Sequence, residues 1–177
     1  MKKLPFILFL STLLFVSCTT KTIKVENRYQ LTVPTNLTET KDLNDVASLQ
    51  LENLLRDVYV IVIEDSIKDF EKSLIDNGID SLYNDGLNGF SRLLIESAQS
   101  DFENPTISEP IEVEINGLKA IQVKIEFTSE KSTISWYPTY IKGKDRYYQL
   151  IWWTLKENKQ KNEAMMKKVI ASFKELN

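Results

Sequence analysis

The sequence predicts an α+β domain: a mainly antiparallel sheet with helices packed on its faces. Three observations lead there. The run Asp145–Leu155 has apolar side chains at both its odd positions (Tyr147, Ile151, Trp153, Leu155) and its even ones (Tyr148, Leu150, Trp152), as a strand covered on both faces requires. Asn116-Gly117 sits between two stretches of period two, the strongest short signal for a β-hairpin. Separate stretches with apolar residues three and four apart supply the helices.

Taken in order, Tyr29, Leu31 and Val33 alternate with polar neighbours and stop at Pro34, which marks a half-buried first strand. Ala47, Leu49 and Leu51 alternate in the same way. Val58–Ile63 runs without a polar break and is rich in β-branched residues, so it predicts a second central strand. Ser66, with Asp69 three residues later, caps a helix that carries Ile67, Phe70, Leu74 and Ile75 and ends at Asn77-Gly78. A further helix carries Leu87, Phe90, Leu94 and Ala98; its start falls at Ser81 or near Leu87, since Gly86 and Gly89 weaken the first turns.

After Pro110 the period becomes two: Ile111, Val113 and Ile115 lead to Asn116-Gly117, and Ile121, Val123, Ile125 and Phe127 return. A strand over 133–141 follows, where Pro138 predicts an edge or a bulge. Lys142–Asp145 turns the chain into the central run Arg146–Leu155. A helix from about Asn158, with Met165, Val169, Ile170, Phe173 and Leu176 on one side, closes the order.

The chain has 177 residues, of which 42% are hydrophobic and 27% charged, enough for one self-sufficient core. Its formal charge is −3 and no cluster of Lys or Arg interleaves with aromatics, so no nucleic-acid partner is expected. Histidine is absent, which removes the commonest general base and metal ligand. The acid-rich stretch Asp76–Gly86 fails the calcium-loop spacing, with Leu82 and Asp85 where a ligand and a glycine belong. No nucleophile elbow and no glycine-rich phosphate loop is present. The expectation is therefore a protein without catalytic residues, metal or cofactor.

The single cysteine is Cys18. Lys2 and Lys3, the apolar stretch 4–16 and a small residue before Cys18 form a secretion signal, too short to cross a bilayer as a helix. The segment resembles a bacterial lipoprotein signal, with Phe15 where that pattern usually has Leu. The resemblance implies a signal peptide over 1–17 and lipid attachment at Cys18. Residues 18–26 then read as a polar tether, its eight residues after Cys18 reaching under about 30 Å, and 27–177 as one domain. The expected partners are the membrane, through that lipid, and an envelope protein complex; the expected location is the periplasmic side of the outer membrane.

The segments Arg28–Pro34, Ile115–Ala120 and Ile170–Lys174 resemble the PsbP-like family, which includes DcrB-type envelope lipoproteins, the PsbP subunit of photosystem II and a Ran-binding import factor. The likeness extends over roughly residues 28 to 176. It implies an α/β/α sandwich and an adaptor or extrinsic subunit, with no catalytic motif to carry over.

Seven Trp and Tyr residues gather between Trp136 and Trp153. They read either as core and cross-strand pairs or as a patch for a partner. Trp136, Tyr137 and Tyr140, on the strand marked by Pro138, are the candidate partner surface. The functional expectation is a lipid-anchored accessory protein that acts by contact. The alternative is a small-molecule or lipid carrier with an apolar pocket between sheet and helices; a cavity of about 300 Å³ or more would favour it.

Overall fold

The structure, a computed structural model, describes residues 19–176; the signal over 1–17 and Cys18 lie outside the described residues. β1 (Thr20–Val25), β2 (Tyr29–Pro34), β3 (Thr38–Glu39), β4 (Leu49–Asn53) and β5 (Val58–Ser66) lead to α1 (Ile67–Asp76), α2 (Asp80–Tyr83) and α3 (Leu87–Asp101). Then come β6 (Glu103–Ile107), β7 (Ile111–Ile115), β8 (Leu118–Gln122), β9 (Ile125–Ser129), β10 (Ser132–Lys142) and β11 (Arg146–Leu155). A 3₁₀ turn, Lys156–Asn158, precedes α4 (Lys159–Ala171) and β12 (Lys174–Glu175).

The main sheet is antiparallel, in the order β3-β4-β5-β11-β10-β8-β7, with β9 beside β10 and β6 beside β9. β11 holds the middle, as its double-sided apolar pattern predicts. Its Tyr148, Leu150 and Trp152 face one core and Tyr147 faces the other. The first core lies between the sheet, α4 and a small second sheet β1-β2-β12, and is filled by Tyr29, Leu31, Val33, Val60 and Phe173 among others. The second lies under α1 and α3, where Phe90 stacks on Tyr147 at 4.3 Å. The sandwich is thus helices, sheet, and a mixed layer of one helix and three short strands.

Local chemistry explains the predicted elements. Ser66 Oγ accepts from the Asp69 amide at 3.3 Å and starts α1, and Gly78 leaves it at φ 68°. Asn116 and Gly117 both have positive φ, 49° and 85°, as a two-residue hairpin turn requires. Asn116 also donates to the carbonyls of Ala171 and Phe173, so the hairpin caps the end of α4. The two candidate starts of the second helix are both used: α2 and α3 are separate, with Gly86 between them at φ 71°.

Three expectations are corrected. Residues 20–25 are not a patternless tether but β1, paired with β2 from Thr20↔Pro34 to Val25↔Tyr29; Ile23 and Val25 pack against the first core. The strand carrying Pro138 is not an edge, because β10 pairs with β11 on one side and with β8 and β9 on the other. The missing proline N–H is tolerated because the partner strand breaks opposite it, at Val123-Lys124, where the Val123 amide still donates to the Pro138 carbonyl at 3.2 Å. The returning strand of the Asn116-Gly117 hairpin is accordingly two strands, β8 and β9. Its outgoing arm kinks at the same level: Ser108 accepts from the Lys124 amide at 3.0 Å through Oγ and donates its own amide to the Lys124 carbonyl at 2.9 Å.

Candidate interaction surface

The period of two along β10 sends its candidate rings to opposite faces. Trp136 and Tyr140 point toward α1 and α3, and Tyr137 points toward α4. Tyr140 is fully buried, edge-on to Phe90 at 6.1 Å, and burial pushes its hydroxyl above the ordinary tyrosine range. It belongs to the core and offers no partner a surface. Trp136 is half-buried and meets Phe102 edge-on at 5.4 Å.

Tyr137 remains as a surface ring. It is half-buried and lies on Trp152, and burial raises its hydroxyl as well. Around it runs a cavity of about 170 Å³ lined by Ile111, Val123, Pro138, Trp152 and Ile170. A neighbouring groove of about 440 Å³ shares Gln122, Lys167 and Ile170 and continues past Val113 to Asn116. The groove follows the flank of α4, which lies over β11 and β2, and it leaves the Ile111 end of β7 open while Ile115 and Ala120 are buried in the first core. β7 ends the sheet on this side, and Ile111 on it is 62% exposed.

Charge frames one end of this groove. Glu126 is pushed up by burial, but hydrogen bonds from Lys124 and from Lys156 at 2.8 Å outweigh that and hold it at about 2. The neighbouring Lys124 and burial together hold Lys159 below the ordinary lysine range. Two lysines, Lys124 and Lys156, therefore pair with one carboxylate, beside the Glu163–Lys167 pair at 2.8 Å.

Sequence reasoning missed Ile111, Val113, Lys167 and Ile170 as parts of one surface. The alternation of β7 was visible, but that its outer neighbour is absent depends on the sheet order. On the opposite face, a cavity of about 470 Å³ is rimmed by Asp85, Glu112, Glu114, Lys119 and Lys142 and is too charged for an apolar ligand. Among the described residues no three His, Cys, Asp or Glu side chains gather as a metal site. No helix there is long and apolar enough to cross a membrane. Cys18, the expected lipid-attachment residue, precedes the first described residue by one position.

No protein-family model matches the chain, and no curated protein matches it either. Solved structures do match in fold. Cyanobacterial PsbP (CyanoP) from Synechocystis sp. PCC 6803 superposes with a TM-score of 0.59 at 9% identity, covering 89% of this chain and 93% of that one. LpqN, involved in cell envelope biogenesis of Mycobacterium tuberculosis, gives 0.58 at 7%, over 90% and 91%. The Ran-binding protein Mog1p of Saccharomyces cerevisiae gives 0.51 at 10%, over 89% and 96%. At such identities the likeness shows the PsbP-like fold and nothing about activity.

Proposed function

We propose that this chain is a lipid-anchored cell-envelope accessory protein, held at the periplasmic side of the outer membrane by Cys18 and acting by contact without turnover of its own. The observation that carries the reading is the uncovered groove beside α4, where the Tyr137–Trp152 stack lies next to the open edge of β7. An edge strand flanked by apolar side chains suits an extended apolar segment of a membrane-resident protein, which would add main-chain hydrogen bonds along β7 and seat side chains against Ile111 and Tyr137. That a protein of this fold takes part in cell envelope biogenesis, and another binds Ran, agrees with contact as the mode of action. The carrier alternative has less behind it: the cavities above the roughly 300 Å³ at which small-molecule sites begin carry charged side chains in their lining, Arg92, Glu96 and Glu112 in one of about 310 Å³ and Glu114 and Lys167 in the groove of about 440 Å³.

A photo-crosslinking residue at position 111 in the anchored protein tests the reading, with position 82 on α2, also exposed at 59%, as the control. The expected result is a discrete adduct from position 111 that Tyr137→Ala abolishes and that position 82 never yields. Identical adducts from both positions, or none from 111, would overturn the proposed surface. Labelled palmitate uptake that survives Cys18→Ser would overturn the anchor.

A further inference from the structure

The turn between β4 and β5 carries two leucines that nothing in the fold covers. Leu55 is 98% exposed and Leu54 66%, and Arg56 beside them is exposed as well. Leu55 is the most exposed large apolar side chain among the described residues. An isolated exposed leucine needs no explanation, but two adjacent ones at the tip of a hairpin form a projecting apolar point. The tip is also held firmly. Asn53 Oδ1 accepts from the Arg56 amide at 3.1 Å, the buried Asn162 donates to the Arg56 carbonyl at 3.1 Å, and Asn158 donates to Asp57 Oδ2 at 2.8 Å. The start of α4 therefore braces the turn from behind.

The same tip adjoins the point where the described chain begins. Asn53 Nδ2 donates to the Asn36 carbonyl at 2.9 Å, the neighbouring Thr35 donates its amide to the Thr19 carbonyl at 3.0 Å, and the hydroxyls of Thr19 and Thr35 meet at 2.8 Å. Because β1 begins at Thr20, only two residue steps separate the sheet from Cys18, a reach of about 7 Å at most. A lipid on Cys18 consequently leaves the domain no freedom to stand off from the bilayer. Just behind the tip, Tyr59 and Trp153 stack at 5.4 Å on the face away from α4, both half-exposed. Tyr and Trp favour the level of lipid headgroups, with apolar side chains below them.

We propose that Leu54 and Leu55 insert into the leaflet that holds the acyl chains of Cys18, with Arg56 at the headgroups and the Tyr59–Trp153 pair at the interface, so that the domain is fixed in one orientation on the membrane. The inference rests on the lipid anchorage proposed above and adds to it a second, protein-borne contact. The orientation directs the Lys142–Arg146 turn, at the opposite end of the β10–β11 hairpin, into the aqueous space.

The test uses the lipidated full-length protein in phosphatidylethanolamine–phosphatidylglycerol vesicles. Acylation blocks the only native cysteine, so a thiol introduced by Leu55→Cys or Lys144→Cys is the single site for an environment-sensitive fluorophore. The expected result is blue-shifted emission at position 55 that brominated acyl chains largely quench, and unshifted, unquenched emission at position 144. A probe at Arg56→Cys should lose its quenching when Leu54 and Leu55 are both changed to serine, with the melting temperature unchanged. Protein that takes up labelled palmitate but shows no quenching at position 55, or equal quenching at both ends, overturns the orientation and leaves the anchor standing. Protein that takes up no label overturns both.

Discussion

Tyr137 lies flat on Trp152, with ring centroids 4.1 Å apart and planes within 6° of parallel, so one side of each ring is removed from water by the other. Such a stack contributes about 0.5–1.5 kcal/mol beyond the area it buries. Tyr137→Ala is expected to cost about 2 kcal/mol in thermal or urea unfolding and to remove the crosslink from position 111. Tyr137→Phe keeps the stack and removes a buried hydroxyl that has no partner among the described residues, so it should leave the crosslink unchanged and raise stability by up to about 1 kcal/mol.

Tyr140 presents the opposite case. It has no exposure, and its hydroxyl has no hydrogen-bond partner among the described residues. Removing an unsatisfied buried hydroxyl recovers its desolvation cost, so Tyr140→Phe should stabilise the domain by about 1 kcal/mol. Tyr140→Ala should destabilise it by about 3–5 kcal/mol. Denaturant midpoints of the two variants decide the matter, and movement in the same direction would place the ring somewhere other than the core.

Gly89 reads in sequence as a weak position in α3, one that alanine would improve by about 1 kcal/mol. The structure reverses the sign. A Cβ at Gly89 would fall 1.7 Å from the Tyr83 carbonyl oxygen and 2.4 Å from Asp85 Oδ1, so α2 can lie against α3 only while this residue has no side chain. Gly89→Ala should therefore lower stability by several kcal/mol, as overpacking of a rigid backbone contact does. An unchanged melting temperature would mean that α2 is not seated there.

Glu126 gives the domain a pH dependence of definite sign. Its folded-state pKa, about 2, lies below the unfolded value of roughly 4.3, so the stabilisation it provides is complete at neutral pH. That contribution should be lost as pH falls from about 4.5 to about 2. Lys156 is 58% exposed, so solvent screening limits the effect to the order of 1–2 kcal/mol. Glu126→Gln should melt below the wild type at pH 7 and converge with it near pH 2. A gap that persists at low pH would assign the difference to packing.

Most of the fold was legible because it depends on burial pattern and turn chemistry. The doubly apolar Arg146–Leu155, the β-branched Val58–Ile63, the Ser66 cap and Asn116-Gly117 each state their role locally. The short strands were not. Thr38–Glu39 and Lys174–Glu175 are two residues long, and Thr20–Val25 mixes lysine and threonine with two half-buried aliphatics, so only their partners make them strands. Pro138 misled because the compensation for its missing donor sits in the opposite strand, fifteen residues earlier at Val123. At the candidate site, the alternation that separates Tyr137 from Trp136 and Tyr140 was present in the sequence. The groove was not, since it exists through what α4 fails to cover.

The place of β2 has a bearing on the order in which the molecule can be completed. β2 lies between the first strand and the last: β12 pairs with it at Tyr29 and Gln30, the Leu176 amide donates to the Arg28 carbonyl at 2.7 Å, and Phe173 stacks on Tyr29 at 5.5 Å. Contacts that join the two ends of a chain form only after nearly all of it is available, and they are the slow ones in folding. A nascent chain that emerges N-terminus first therefore carries β1 and β2 uncapped until β12 arrives. Any protease or chaperone that acts in that interval meets those two strands open, and Lys174–Leu176 decide when it ends.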